Sequence, residues 1–306
     1  MISSLNANTQ SFLAGLSNIQ QRIAQANQQV TSGLKISQAS DSPDQIGELL
    51  QLRANAAQNT QMQSNLNLEL TNAQVADGAL GSSIQLLDSA TQIASEGANS
   101  TQTADTRATL AQQIQALMTQ MVSISGTQVQ GSYIFGGDTT QTAPYQLDLT
   151  AAKGVDQLST TPATRLIQNP EGGTFQPALT AQQIFDDQNP DGTPTSSNVF
   201  NALNSLRTAL LNNDSAGIST AQNLIKQSSI HLNDSEAFYG NVENQIQSAS
   251  TYSATYATQL KGQISNIQDA DVVSAAETLT QANTQLQAAM ESQAKMPTTS
   301  LFNYLG

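Results

Sequence analysis

The fold is decided by residues 49–94, which read LLQLRANAAQNTQMQSNLNLELTNAQVADGALGSSIQLLDSATQIA. Steps of three and four residues trace one seam through this stretch, and ten of its fourteen positions are apolar. This period predicts a long helix that buries a narrow stripe against partner helices. At 1.5 Å per residue the helix would be roughly 70 Å long, which favours an elongated bundle. The seam consists of Leu49, Leu52, Ala56, Asn59, Gln63, Leu66, Leu70, Ala73, Asp77, Leu80, Ile84, Leu87, Thr91 and Ala94.

Composition excludes several classes of function. The 306 residues carry a net charge of −13, which disfavours a nucleic acid or an anionic membrane as partner. No apolar run approaches the roughly 20 residues that span a bilayer, so we expect no membrane insertion. Since Arg22 is the first basic residue and no apolar segment follows Met1, we also expect no cleaved signal peptide. The chain has no cysteine, which excludes disulfides and thiolate chemistry.

The N-terminal segment has a seam of its own, and Gly33 follows it where a C-cap glycine is expected. After a loop, Ser42, Pro43 and Gln45 predict the N-cap, the first turn and the capping-box partner of the long helix. That helix should end near Gly97. The N-terminal seam consists of Leu5, Thr9, Phe12, Leu16, Ile19, Ile23, Ala26 and Val30.

The helical pattern stops in the middle of the chain and then returns. A third helix is predicted from about Ala104 to Gln128, and the glycine-bracketed aromatic run Gly131–Gly137 then indicates a strand with turns at both ends. Residues up to 198 are rich in Pro, Gly and Thr, which predicts a small β-containing insertion with a short helix near 181–187. Helical periodicity resumes at Val199, and from Ile264 onward a break in the heptad predicts a stutter.

The expected fold is therefore mainly α: an elongated multi-helix bundle or coiled coil from paired terminal segments. We predict an N-terminal assembly helix, 1–42, that pairs with a C-terminal assembly helix and tail, 264–306. Between them lie the two halves of a helical rod, 43–130 and 199–263, and the insertion domain, 131–198.

Residues with catalytic or metal-binding potential are few. Asp187–Gly192 resembles the first half of a calcium loop, but its twelfth position is Asn198 rather than a bidentate Glu, which favours a plain turn. His231 is the sole histidine, so neither a zinc set nor a Ser-His-Asp triad is indicated. We expect no enzyme activity, no catalytic or metal residues and no cofactor.

Several short motifs, in their order along the chain, resemble the flagellin superfamily. Within it, the resemblance is closest to the hook-associated proteins of the hook–filament junction of bacterial flagella, and it covers nearly the whole chain outside the insertion. The motifs are Thr31–Ile36, Ser40–Pro43, Gly131–Gly137, Val199–Leu203, Asp269–Asp271 and the ending Ser300–Leu305.

The resemblance implies a structural protein outside the cell, in the flagellum. Its partners would be copies of itself, other axial proteins such as hook-associated proteins and flagellin, an export chaperone and the type III export apparatus. The alternatives are a filament flagellin and, from a different class, a secreted ligand-binding or adhesive protein that uses the insertion. Helix seams that must be buried are the candidate assembly residues: Phe12, Leu16, Ile19, Ile23, Val30, Ile264, Ile267, Leu279, Leu286 and Met290.

Overall fold

The computed structural model describes residues 2–159, 161–169 and 172–295, with side-chain surroundings from residue 9 onward. The described chain is mainly α-helical, as predicted. Its helices are α1 (Ile2–Ser32), α2 (Ile46–Gly97), α3 (Ala104–Ser125), α4 (Ala181–Phe185), α5 (Val199–Leu211), α6 (Ser215–Gln268) and α7 (Val272–Ala294). Its strands are β1 (Gln128–Val129), β2 (Ser132–Tyr133), β3 (Tyr145–Leu147), β4 (Val155–Gln157), β5 (Ile167–Gln168) and β6 (Thr174–Phe175).

Packing divides the chain into two compact units. Unit 1 comprises residues 1–60 and 256–306, and unit 2 comprises residues 61–255. The start of α2 and the end of α6 therefore belong with the terminal helices, whereas the sequence-based boundaries assign them to the rod. The five-segment division stays a prediction.

The start of α2 differs in detail from the expected capping box. The Ser42 hydroxyl donates to the Asp44 carboxylate at 2.7 Å, and among the described residues no main-chain N–H of the first turn donates to it. The Ser42 carbonyl instead accepts from the main-chain N–H groups of Gln45 and Ile46, each at 3.1 Å. The helix begins within four residues of the expected place, although the predicted side-chain exchange does not form.

Two other helix ends were predicted wrongly. Helix α3 ends at Ser125 rather than Gln128, because the Gly126 N–H turns back to the carbonyls of α3 and β1 starts immediately afterwards. The stutter expected after Ile264 is a complete break between α6 and α7. Asp271 is the N-cap of α7, since its carboxylate accepts from the N–H groups of Val273 and Ser274.

Unit 2 holds the larger core, which lies between α2, α3, α5, α6 and the insertion. Leu66, Leu80 and Leu87 are fully buried in it, and Leu70 and Ile84 are half-buried against it, so the inward-facing seam of α2 is confirmed. Five aromatic rings connect this core with the insertion, with centroid separations of 5.0–6.3 Å. They are Phe135, Tyr145 and Phe185 of the insertion, Phe200 of α5 and Tyr239 of α6.

The described residues form three two-stranded antiparallel sheets: β1–β2, which leads into the insertion, and β3–β4 and β5–β6 within it. Only Ser132–Tyr133 of the predicted strand Gly131–Gly137 is extended and paired. It lies between two turns: before it Gln130 and Gly131 both have positive φ, 51° and 80°, and after it the Gly136 N–H donates to the Tyr133 carbonyl at 3.3 Å. The first of these turns has the pattern of the tight hairpin turn that suits twisted strands.

A buried carboxylate fixes the insertion to α5. Asp186 is fully buried, and it accepts hydrogen bonds from Tyr145, Lys153, Gln188 and Asn198 at 2.6–3.1 Å. Burial and the neighbouring Asp186 raise the pKa of the Tyr145 phenol well above its ordinary value. Because each carboxylate oxygen has a partner, the cost of burying this charge is offset by hydrogen bonds.

Candidate assembly surfaces

The terminal helices α1 and α7 pack against each other within unit 1. Small side chains lie where the two helices come closest, since Ala26 of α1 and Ala275 and Ala282 of α7 are buried. Arg22 Nη1 donates to Gln285 Oε1 at 3.0 Å across the pair. Together with the contact of the end of α1 with the residues just before α7, this pairing shows that the helices run antiparallel.

Most of the candidate assembly residues lie on this pair, but none of these large side chains is fully buried. Aromatic and aliphatic side chains flank the buried alanines, and a two-helix pair covers them from one side only. The half-buried seam residues of the pair are Phe12, Leu16, Ile19, Ile23 and Val30 on α1, and Leu279 and Leu286 on α7.

Three predicted seam residues lie elsewhere. Ile264 and Ile267 are half-buried on the last turns of α6, before the helix break, so they are not part of the α7 stripe. Met290 is 56% exposed, and the half-buried residue at that level of α7 is Ala289. The assembly role of Met290 stays a prediction; the half-buried stripe steps from Leu286 by three residues there, which leaves Met290 beside it. The predicted tail motif, Ser300–Leu305, lies outside the described residues.

The helix pair is closed at one end by a short antiparallel backbone contact. Leu34 and Asp269 are paired as an isolated bridge. The N–H of Lys35 donates to the Gln268 carbonyl at 2.7 Å, and the N–H of Ala270 donates to the Gly33 carbonyl at 2.8 Å. Gly33 adopts φ of +70°, as its predicted C-cap role requires. The two sequence motifs that contain these residues are thus brought together in space.

The structure also reveals exposed apolar residues that the sequence argument missed. Val272 and Val273 are 44% and 70% exposed in the first turn of α7, where they line a shallow apolar depression with Ala276 and Thr280. On α1, Leu13 is 56% exposed beside the seam. The heptad count gave no signal for these residues, because their exposure depends on the helix break and on the one-sided pairing.

The calcium-like segment forms a hydrogen-bonded turn. Asp187 Oδ2 accepts from the hydroxyls of Thr195 and Ser197 at 2.8 and 2.9 Å. Hydrogen bonds from Thr193 to Asp191 lower the pKa of the Asp191 carboxyl. Asn198, at the twelfth position, caps α5 by accepting from the Asn201 N–H at 2.9 Å.

The remaining polar candidates have structural partners. His231 Nε2 lies 2.8 Å from the Gln183 carbonyl oxygen, a contact in which Nε2 donates its proton. In the part of the chain that the structure describes, no group of three or more His, Cys, Asp or Glu residues is placed to hold a metal ion. No helix in that part is both long enough and apolar enough to cross a bilayer.

Comparison with known proteins connects this helical architecture to a family. The family model for the bacterial flagellin N-terminal helical region matches residues 3–140, and the model for the C-terminal helical region matches residues 223–305. The chain belongs to the bacterial flagellin family. Its two matched regions contain both of the paired terminal helices, and most of the insertion lies between them.

Individual relatives in this family are similar over nearly their whole length. Flagellar hook-associated protein 3 of Escherichia coli is 23% identical to this chain, and the alignment covers 96% of each. The FlgL structure from Xanthomonas campestris matches 70% of this chain and 99% of its own, with a TM-score of 0.58 and 17% identity. The flagellar junction protein FlgL from Legionella pneumophila gives a TM-score of 0.54 at 14% identity, over 70% and 97% of the two chains. The structural likenesses show a shared fold.

Proposed function

We propose that this flagellin-family chain is a structural subunit of the bacterial flagellum that joins the hook to the filament. One observation carries the proposal: the alignment with a hook-associated protein 3 spans 96% of both chains, insertion included. A filament flagellin shares the terminal helices with a junction protein, so the terminal match alone would not favour either. The likeness along the whole chain favours the junction.

The α1–α7 pair supplies a physical means of assembly. Its large apolar side chains are half-buried, and burying the rest would contribute about 25 cal/mol for each Å² removed from water. We propose that Phe12, Leu16, Ile19, Leu279 and Leu286 lose this remaining exposure when the subunit enters a tube. The partners in the tube would be copies of this chain and other axial proteins of the flagellum.

The route to that position follows from the family. We propose that the subunit is exported by the flagellar type III apparatus with the help of a chaperone, and that it ends outside the cell. We propose that this role involves no catalysis. We also propose that the five segments (the two terminal assembly helices, the two rod halves and the insertion) are the working parts of this structural role.

Deletion of the gene tests the junction role. The mutant should carry complete hooks without filaments and should release flagellin into the medium, because the filament would lack its adaptor. Electron microscopy of the mutant measures this, and filaments attached normally to its hooks would contradict the proposal. Purified protein that polymerises alone into micrometre-long tubes would favour a filament flagellin instead.

Complementation of the deletion with two variants distinguishes a role of the seam in assembly from a general effect of an added surface charge. Leu286→Glu places a charge in the half-buried stripe, whereas Gln287→Glu places the same charge on the exposed neighbour. We expect Gln287→Glu to restore filaments and Leu286→Glu to fail, although both proteins should be produced. Restoration by Leu286→Glu to the same level would contradict a role for this stripe in assembly.

A further inference from the structure

A cleft in unit 2 has the size and lining of a small-molecule site. Its volume is about 400 Å³, within the range of roughly 300–1,000 Å³ that is usual for ligand pockets. The first turns of α2 in this unit form one wall, the β1–β2 hairpin forms another, and later loops of the insertion complete the rim. The cleft is separate from the α1–α7 pair, which lies in unit 1.

An ion pair lies at the polar side of the cleft. The side chain of Glu69 is 7% exposed and that of Arg165 is 59% exposed. Arg165 Nη2 contacts both carboxylate oxygens, at 2.8 and 2.9 Å. Among the described residues, the guanidinium makes no other hydrogen bond, so its Nη1 and Nε edge is available to a ligand.

The cleft contains charged side chains of both signs. Asp138 lies at the rim, where its two oxygens accept from the main chain and hydroxyl of Thr164 at 3.0 and 2.7 Å. An anionic ligand would face Glu69 and Asp138, and a cationic ligand would face the exposed guanidinium of Arg165. A neutral ligand that can both donate and accept hydrogen bonds meets neither repulsion.

The rest of the lining is apolar or uncharged. Tyr133 contributes an aromatic side chain to the lining, and its hydroxyl has no hydrogen-bond partner among the described residues. Asn72 Nδ2 reaches Glu69 at 3.4 Å, and the Asn72 carbonyl oxygen is left for a donor. The apolar part of the lining comes from α2 and from the insertion: Leu68, Ala73, Ala76, Ile134 and Pro177.

We propose that this cleft binds a neutral saccharide. A pyranose ring has an apolar C–H face that suits the apolar residues of the lining, and each of its hydroxyls is both a donor and an acceptor. Such hydroxyls can accept from Arg165 and donate to Glu69 and to the Asn72 carbonyl oxygen in the same site. This function is additional to the junction role and does not rest on it.

Calorimetric titration of the full chain with the methyl glycosides of glucose, galactose, mannose and N-acetylglucosamine tests the inference. A ligand of about twelve heavy atoms with ordinary efficiency implies a Kd of about 1 mM for the best of these probes. Glucuronate and glucosamine, which carry opposite charges, should bind about tenfold more weakly. No saturable heat from any neutral probe up to about 50 mM, or tighter binding of a charged one, would overturn the proposal.

Three variants locate the binding. Tyr133→Phe removes one hydroxyl and keeps the ring, and Arg165→Lys keeps the charge beside Glu69 but removes the planar N–H edge. Each should weaken the best probe about fivefold, the usual effect of one lost hydrogen bond. Leu166→Ala changes an exposed neighbour in the same loop and should leave the Kd unchanged. If saturable binding is equally strong in all three proteins, the sugar binds elsewhere and the assignment of this cleft is wrong. Because this readout uses soluble protein, it is independent of the hook phenotype.

Discussion

Leu34 and Asp269 are antiparallel backbone partners, although they lie near opposite ends of the chain. Hydrogen bonds on both sides of this contact, Lys35 to Gln268 and Ala270 to Gly33, fix the end of α1 beside the break between α6 and α7. Each partner lies where a helix stops. The break is therefore not a defect in a long helix but the point where the chain turns into the terminal pair.

The N-cap of α7 should control how firmly that pair begins. Asp271→Ala removes the acceptor of two main-chain hydrogen bonds at 3.0 and 3.2 Å and should destabilise α7 by about 0.5–2 kcal/mol. Asp271→Asn retains the cap and should cost much less. Hydrogen exchange at Ala275 and Ala282 measures the difference. Equal exchange rates in the two variants would show that the cap does not stabilise α7.

Much of this fold could be predicted from the sequence, since α2 obeys a simple rule. Its seam keeps one register from Leu49 to Ala94, and the structure makes it one helix, Ile46–Gly97. Periodicity reports which residues of a helix share a face, so it is reliable where packing follows that face. Leu66, Leu80 and Leu87 are buried as expected for this reason.

The break between α6 and α7 could not be predicted in the same way. In sequence, Asp269–Asp271 changes the heptad by only a few residues, and a stutter and a break have the same spacing. The choice depends on Gly33 and Lys35, whose backbone groups pair with this segment and replace helical hydrogen bonds. Such a contact between distant parts of the chain leaves no local periodic signal.

The cleft also could not be predicted from the sequence. Glu69 falls on a polar flank of the α2 pattern and Arg165 lies in a loop without any period, yet they form an ion pair. The apolar stripes of the terminal helices do have a sequence signal, because they repeat every three or four residues, while their role in assembly stays a prediction. The exposure of each residue in these stripes could not be predicted, since it depends on how many helices cover the stripe.

Truncation of a central seam residue should test the core of unit 2. Leu80 is fully buried, and Leu80→Ala should lower the free energy of unfolding by about 2–5 kcal/mol, through lost burial and a residual cavity. Leu68→Ala, at a position 40% exposed on the same helix, should change it by about 0.5 kcal/mol or less. Denaturant unfolding followed by circular dichroism compares the two. An unchanged midpoint for Leu80→Ala would contradict the assigned core.

Glu243 should make unit 2 less stable as the pH rises. Burial, and then the nearby Asp77 carboxylate, raise the pKa of Glu243 in the folded state. The folded chain therefore binds this proton more tightly than the unfolded chain, so the associated stability is present at low pH and lost as the pH rises through the raised pKa. Glu243→Gln removes the charge and should raise the Tm at pH 7.

The size of that increase should itself depend on pH. It should shrink as the pH falls through the folded-state pKa of Glu243, because the wild-type carboxyl then becomes neutral as well. Glu236→Gln, on the same helix, controls for a general effect of the lower net charge. A Tm difference that is constant between pH 4 and pH 7 would contradict the coupling to this proton.

The last prediction concerns the terminal pair in the free subunit. The large seam residues of α1 and α7 are half-buried, whereas Leu87 and Met118 in unit 2 are fully buried. Ordering a residue costs roughly 1–2 kcal/mol of backbone entropy. A helix pair whose apolar side chains are only half-buried is therefore marginally stable. Residues up to about Lys35 and beyond about Ile264 should therefore exchange their amide hydrogens faster than the core of unit 2 in a monomer verified by ultracentrifugation. Strong protection of Ile19 and Leu286, equal to that of Leu87 and Met118, would show instead that the pair is stable before assembly.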